Sequence, residues 1–557
     1  MSREEENMLY QVPEQWRKGS VISFYPSVKR SANELGFDIY DFQMLFKDKE
    51  TLDLIRSGRT VGCFYIESPG MRSLLRRLEV DTFEMLTAAS SIIRPGVAES
   101  GMMQEFIARH KDPSRRTYLV PEMEKLLGDT YGVMVYQEDV IKITHHIAGL
   151  SLEEADLLRR AMSGKMRSHK AMQELYDKFI NSCLKKGMKK DISEELWRQI
   201  ESFAGYSFCK AHSASFALLS FQVAYLKAHY PAEFMASVLS NGGGFYSAGV
   251  YIWECRRLGI KIKLPCINKS KYEYVGNGNE IRVGLMAIKN LSSSSIDRII
   301  EAREENGPYV SLADFLIRTR LGFEETCMLI KCGAMGCLKK TRITLLKLMD
   351  IYFKRRRILD ESYNDLFMSE AFEMEMEVET NKNYSVEEIC KMEYEAFDYM
   401  VTRHPLHFFS NYINDKKITK AKDMYKLTGQ RVKMIGWYMA SKRIRTKKGD
   451  IMKFLSLEDL TGTFEAVIFP KVYDRVVEKT MSMGPYILEG YIDVNDYRNL
   501  VVDNLDILTS VDVKESIQKD SVDHNYYGDV EKITLEEFSI VKKLGKEELK
   551  KAYSKIA

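Results

Sequence analysis

Lys210, His212 and Ser213 place a cation, an imidazole and a hydroxyl within four residues of one another. The run behind them, Ala214 to Tyr225, is rich in Ala, Leu, Phe and small residues and predicts a buried helix. Gly205-Tyr206 predicts a turn just ahead. Such groups at the head of a helix can hold an anion, because the free N–H groups point at it and the helix dipole favours negative charge. Alternatively, His212 and Ser213 cap the helix, a role in which Ser is favoured. A second basic pair, Arg159-Arg160, closes a helical run. Adjacent residues on a helix point about 100° apart, so a single ligand meets one of them, and the other reading is a solvated helix face. Arg72 and Arg76, four apart, share a face.

The elements that would position these groups follow from pattern. Thr51 to Ser68 predicts a short helix, a Gly turn and a strand, and Tyr131 to Gln137 alternates as a strand before Gln137 and Glu138 open a helix. Arg94-Pro95-Gly96 predicts a turn. Residues 166–200 predict two amphipathic helices broken at Gly187, with Lys185, Lys186, Lys189 and Lys190 at the break as a DNA-backbone contact or a solvated turn. Val283 to Arg303 predicts a short strand, a turn and a helix, and Pro308 to Thr319 and Cys327 to Leu338 supply packing helices. Residues 346–428 turn acidic and glycine-poor after the basic run Lys354 to Arg357, and read as a mobile linker. Residues 429–512 hold short strands with turns at Lys448-Gly449-Asp450 and Thr461-Gly462, which favour a small barrel. Two strands are expected before the first of those turns, and Phe454 and Phe469 are expected in the core. Residues 513–557 read as a polar tail with one helix.

A chain of 557 residues predicts several domains. Lys and Arg total 82 against 79 Asp and Glu, so any nucleic-acid surface must come from local clustering. The nine Cys form no CxxC pair, and the five-residue spacing of Cys327, Cys332 and Cys337 matches no zinc pattern. Free thiols in a reducing cytoplasm are expected. The charged start, and apolar runs all shorter than about 18 residues, predict neither a signal peptide nor a membrane span.

Six runs occur in order: Gly62 to Met71 (GCFYIESPGM), Ile92 to Met102 (IIRPGVAESGM), Tyr131 to Val140 (YGVMVYQEDV), Leu157 to Lys165 (LLRRAMSGK), Glu201 to Gln222 (ESFAGYSFCKAHSASFALLSFQ) and Tyr225 to Ser240 (YLKAHYPAEFMASVLS). Together they resemble the fingers of bacterial DNA polymerase III alpha subunits, the C-family polymerases, and the resemblance runs from about Asp38 to about Leu508. It implies a multidomain α+β architecture: mainly helical fingers over 61–270 after a connector at 1–60, a helix-hairpin-helix-like region over 271–345, and an OB-type β-barrel over 429–512.

The resemblance also implies ligands. Basic residues of the fingers meet the triphosphate of the incoming nucleotide in that family, which makes Arg159, Arg160, Lys165, Lys210 and His212 the candidates here. Single-stranded DNA on an OB-fold implicates the basic hairpin, Arg443, Arg445, Lys447, Lys448 and Lys453. The family places a short clamp-binding peptide in the linker. Here Asp365, Leu366 and Phe367 match it and Tyr363 stands where Gln is usual. Ser292 to Ser295 stand where the family's hairpin has glycines, which puts duplex binding there in doubt, although serine still caps a helix.

In the family three palm aspartates hold two metal ions that neutralise charge during phosphoryl transfer. Neither of the runs that carry them occurs in this sequence, and Asp38 and Asp41 align with the connector beyond the palm. No catalytic or metal-ligating residue is therefore expected, and no cofactor is expected on this chain alone. Magnesium is expected only with a palm-bearing partner chain. The remaining expected partners are primer-template and single-stranded DNA, a deoxynucleoside triphosphate and a sliding clamp, with no membrane. The alternative is a non-catalytic DNA-binding accessory built from the same modules.

Overall fold

The computed structural model describes residues 38–93, 101–161, 169–204, 209–242, 244–356, 382–446, 448–496 and 498–508. Two compact units divide at Val401 and Thr402.

The first unit is helical. In chain order come α1 Phe42–Leu45, α2 Lys49–Arg56, α3 Pro69–Leu78, α4 Phe83–Ile92, α5 Met102–Lys111, α6 Glu122–Leu127, α7 Gln137–Lys142, α8 Leu152–Arg160, α9 His169–Lys185, α10 Lys190–Ala204, α11 Lys210–His229, α12 Pro231–Asn241 and α13 Ala248–Arg257. Local chemistry sets many boundaries. Ser68 caps α3, with Pro69 at its first position, and Met71, Leu74, Leu75 and Leu78 form its buried stripe. Ser151 and Glu154 close a capping box on α8. Gly187 adopts φ +82° between α9 and α10, as its place in the sequence predicts.

Helix α11 is the central element. It packs on α4, α2 and α12. Ser220 to Lys227 are buried without interruption, which an amphipathic surface helix would not show. Lys227 is 1% exposed, and its ammonium spends all three donors: on Arg59 O at 2.8 Å, Val61 O at 2.7 Å and Glu254 Oε1 at 2.7 Å. This explains a failed expectation. Residues 61–68 form consecutive turns rather than a strand, with Gly62 and Tyr65 in the left-handed region. Their carbonyls and N–H groups turn inward, to Lys227 and to the buried Glu67 carboxylate, which accepts Gly62 N–H at 2.8 Å. The strand expected over 131–137 is absent too. Residues 133–135 make no ladder, and Asp139 Oδ2 takes the N–H groups of Val135 and Tyr136.

A three-stranded sheet of β1 Lys261–Lys263, β2 Val275–Asn277 and β3 Glu280–Arg282, in order β1-β3-β2, leads into α14 Ser293–Asn306, α15 Leu312–Thr319, α16 Phe323–Lys331, α17 Arg342–Arg356 and α18 Val386–Phe397. The strand expected from Val283 lies at 280–282 instead, and a 3-10 turn follows at Leu285–Ala287. Residues 382–428 are structured rather than linker-like. Helix α18 has a Ser385–Glu388 capping box, packs on α16, and buries Cys390 and Glu393.

The second unit carries α19 Ser410–Ile413 and a closed five-stranded barrel in the order β4-β5-β6-β8-β7. Its strands are β4 Arg431–Arg445, β5 Ile451–Glu458, β6 Thr463–Ile468, β7 Tyr486–Ile492 and β8 Asn499–Ile507, with α20 Pro470–Val476 between β6 and β7. The two strands expected before the Lys448 turn are one. A bulge between Tyr438 and Ala440 bends β4, so 431–436 pairs with β7 and 437–445 with β5. Leu455, Leu457, Phe464, Tyr486 and Leu488 fill the interior. The whole is the expected α+β arrangement, helical first and an OB-type barrel second.

Candidate nucleotide and DNA interfaces

The first turn of α7 meets two of the candidate basic residues, Arg159 and Lys210. Gln137 Oε1 accepts from Arg159 Nη1 at 2.9 Å. The next residue, Glu138, sets both carboxylate oxygens on the Lys210 backbone N–H, at 3.1 and 3.0 Å. The Lys210 ammonium lies 5.2 Å from the centre of the Tyr136 ring. Two adjacent residues thus join the C-terminal end of α8 to the N-terminal end of α11. Arg159 and Arg160 converge on a single carboxylate, Asp156, at 2.8 and 2.6 Å. The hydrogen bond from Arg159 holds the Asp156 carboxyl below the usual range. Half-buried Arg159 faces α7, while Arg160 is 62% exposed. His212, within the first turn of α11, sets its ring 4.4 Å from Phe216, which also meets Tyr65 at 4.9 Å. Lys165 lies outside the described residues, as do Gly205-Tyr206 and Arg94-Pro95-Gly96.

At the head of α11 the Lys210 backbone N–H donates to the protein's own Glu138 carboxylate. The capping reading of His212 and Ser213 is corrected: Cys209 holds the N-cap position, and Ser213 Oγ is buried 2.7 Å from Ser91 Oγ of α4. Gln137, Glu138 and Asp156 are the partners that reading the basic residues alone omits. The spacing of Asp156 from Arg159 and Arg160, three and four residues, is the one local signal for them.

At the head of α14, Ser292 caps the helix by accepting Ser295 N–H. Ser295 Oγ donates to Glu325 at 2.6 Å, and Ser292 N–H and Oγ also reach that carboxylate. Serine fills the cap that glycine would leave open, and a protein carboxylate stands at the turn. Asp38 and Asp41 hold local turns instead: Asp38 accepts Tyr40 N–H, and Asp41 caps α1 through Met44 N–H. Among the described residues, no group of three or more His, Cys, Asp or Glu is arranged to hold a metal ion.

On the barrel, Arg443, Arg445 and Lys448 are exposed around the β4–β5 hairpin. Lys453 is not, and its assignment to that surface is corrected. It is 7% exposed and donates to Thr480 O at 2.6 Å. Burial, with Arg443 opposite it, pulls its amine down to about 8. Lys453 shares its face with Leu455 and Leu457, so strand alternation sends it inward. Phe469 is also corrected, from core to 46% exposed. Phe454 is half-buried. Lys447 and the clamp-peptide candidates Tyr363, Asp365, Leu366 and Phe367 lie outside the described residues, as does 513–557. No helix among the described residues is long and apolar enough to cross a membrane.

Residues 25–187 match the family model described as the bacterial DNA polymerase III alpha subunit finger domain. The match takes in 25–60, read above as connector. Residues 259–345 match a helix-hairpin-helix motif. The chain is 32% identical over 463 residues to the DNA polymerase III subunit alpha of Aquifex aeolicus (strain VF5), across 82% of this chain and 38% of that protein. It is 32% identical over 455 residues to the Bacillus subtilis (strain 168) subunit, across 80% and 39%, and 32% over 491 residues to that of Staphylococcus aureus (strain MRSA252), across 86% and 44%. The chain spans less than half the length of each.

Proposed function

We propose that this chain, related over most of its length to bacterial DNA polymerase III alpha subunits, binds DNA and an incoming deoxynucleoside triphosphate for template-directed DNA synthesis. The observation that carries this reading is the meeting of Arg159 and Lys210 at the first turn of α7. Guanidinium forks suit phosphate, and the N–H groups of α11 suit the same charge. In this reading the triphosphate displaces Asp156 and Glu138 from those groups. Arg160 and His212 stand beside them, and Lys165 belongs to the same set. Arg443, Arg445, Lys447 and Lys448 follow a single strand over the barrel. Residues 363–367 anchor to a sliding clamp. Magnesium and the carboxylates that hold it come from a palm outside the described residues, whether on this protein or on another chain.

One observation favours a second reading, a DNA-binding accessory without nucleotide chemistry. Asp156 and Glu138 already neutralise the basic groups, and Glu325 stands on the α14 turn. Primer extension with magnesium and four deoxynucleotides separates the two, using the chain alone and then mixed with host lysate depleted of other polymerases. Extension dependent on the chain supports the polymerase reading. DNA binding without extension in either sample supports the accessory.

A further inference from the structure

We propose that Cys266 and Cys337 form an oxidation site, at which hydrogen peroxide or an organic hydroperoxide joins the two thiols in a disulfide. The backbone brings them together across a long stretch of sequence. Ile267 N–H donates to Ala334 O at 2.9 Å, so the residue after Cys266 is tied to the segment that precedes Cys337. Cys337 Sγ in turn lies 3.9 Å from that same Ala334 oxygen. Ala334 O thus meets both the N–H that follows Cys266 and the Cys337 sulfur, which sets the two cysteines on adjoining backbone segments. Cys266 N–H is fixed by Ser270 Oγ at 2.9 Å, which holds the residue in place beside its neighbour.

The surroundings make the two sulfurs unequal. The neighbouring Cys337 thiol holds Cys266 well below the usual thiol range against the effect of burial, and Asn268 N–H and Arg282 act in the same sense. Cys337 is raised in turn. A thiolate is the form that attacks peroxide. The other thiols differ: Cys63 and Cys332 are fully buried and pushed up to about 12, and Cys327 is raised by burial. Cys266 is 8% exposed and Cys337 is partly exposed.

The chemistry balances in two steps. The Cys266 thiolate attacks one peroxide oxygen, the O–O bond breaks, and the departing hydroxide takes a proton to become water. The sulfur is now a sulfenic acid. The Cys337 sulfur then attacks the Cys266 sulfur, the S–O bond breaks, and the hydroxyl leaves as water with the Cys337 proton. The disulfide closes a loop of roughly 70 residues that holds β2, β3, α14, α15 and α16.

The test treats the full chain with hydrogen peroxide, alkylates the remaining thiols and maps the unreduced digest by mass spectrometry. The expected result is a Cys266–Cys337 linked peptide pair, reversed by dithiothreitol, at doses that leave Cys209 and Cys327 alkylated. Cys266 and Cys337 both alkylated at doses that oxidise Cys209 or Cys327 overturns the proposal. In Cys337→Ser the sulfenic acid has no resolving thiol, so dimedone labels Cys266 at least roughly fivefold more than in the unaltered protein. A folded Cys337→Ser chain without that label, judged by an unchanged thermal midpoint, also overturns it.

Discussion

The carboxylate of Glu138 rests on the backbone N–H of Lys210, across 72 residues of sequence, at 3.0 and 3.1 Å from its two oxygens. A helix N-terminus is where an anion is stabilised, by about 0.3–1 kcal/mol at an exposed position. The first turn of α11 thus meets an internal carboxylate, and in the proposed reading a triphosphate competes with it.

Glu138→Gln removes the competing charge and keeps the shape. It is expected to tighten deoxynucleoside triphosphate binding about two- to fivefold, the size of one helix-terminal charge. Titration of a fluorescent nucleotide into both proteins checks this. Weaker binding in Glu138→Gln would mean that the carboxylate supports the site rather than competes for it.

Lys227 and Glu254 form a buried ion pair at 2.7 Å, with side chains 0% and 10% exposed. Lys227→Met leaves the Glu254 charge inside and empties the carbonyls of Arg59 and Val61, so a loss of about 3–5 kcal/mol is expected. Denaturant unfolding of the full chain measures it. The pair also predicts a pH response. Burial opposes ionisation of Glu254, yet Lys227 and Arg257 bring it down to about 2 from an ordinary 4.5. The folded carboxyl is the stronger acid, so its contribution is complete above about 4.5 and is lost as pH falls toward about 2. Glu254→Gln should flatten that part of the acid-unfolding curve.

The buried Lys453 predicts a slope of the same sign at high pH. Its amine sits at about 8, against an ordinary 10.5. Between those values the unfolded chain holds a proton that the folded chain has released, so this group makes the barrel more stable as pH rises from 8 to 10.5. Thermal unfolding across that range should show the rise, and Lys453→Met should remove it. An identical slope in Lys453→Met would assign the effect elsewhere.

The exposed hairpin arginines act on DNA through counterion release. Arg443→Ala with Arg445→Ala should lower the slope of log affinity against log salt by about 1–2 for a single-stranded oligonucleotide. Fluorescence anisotropy at several salt concentrations measures that slope. An unchanged slope would place the strand on another face.

Parts of this architecture were legible because they depend on near neighbours. The break at Gly187 follows from one residue's freedom at positive φ, and the turns at Gly449 and Gly462 with alternating strands yield the barrel. What was not legible depends on distant partners. Residues 61–68 have the composition of a strand, but Lys227, 166 residues away, draws Val61 O into a turn. Glu138 carries no local sign that it meets Lys210. The bulge at Tyr438 hides in a strand whose two halves pair with different neighbours. Lys453 was legible and was misread: a charge near a basic hairpin looks exposed until its two-residue register with Leu455 and Leu457 is followed.

The measurement that bears most directly on the central claim is nucleotide affinity in Arg159→Ala and Lys210→Ala, set against primer-template affinity in the same proteins. The account predicts that each substitution weakens triphosphate binding about tenfold or more, the scale of one charge-assisted contact, while DNA affinity stays within about twofold. Nucleotide affinity unchanged in both variants, or absent from the unaltered chain while DNA still binds, would contradict the assignment of α7, α8 and α11 as a triphosphate site.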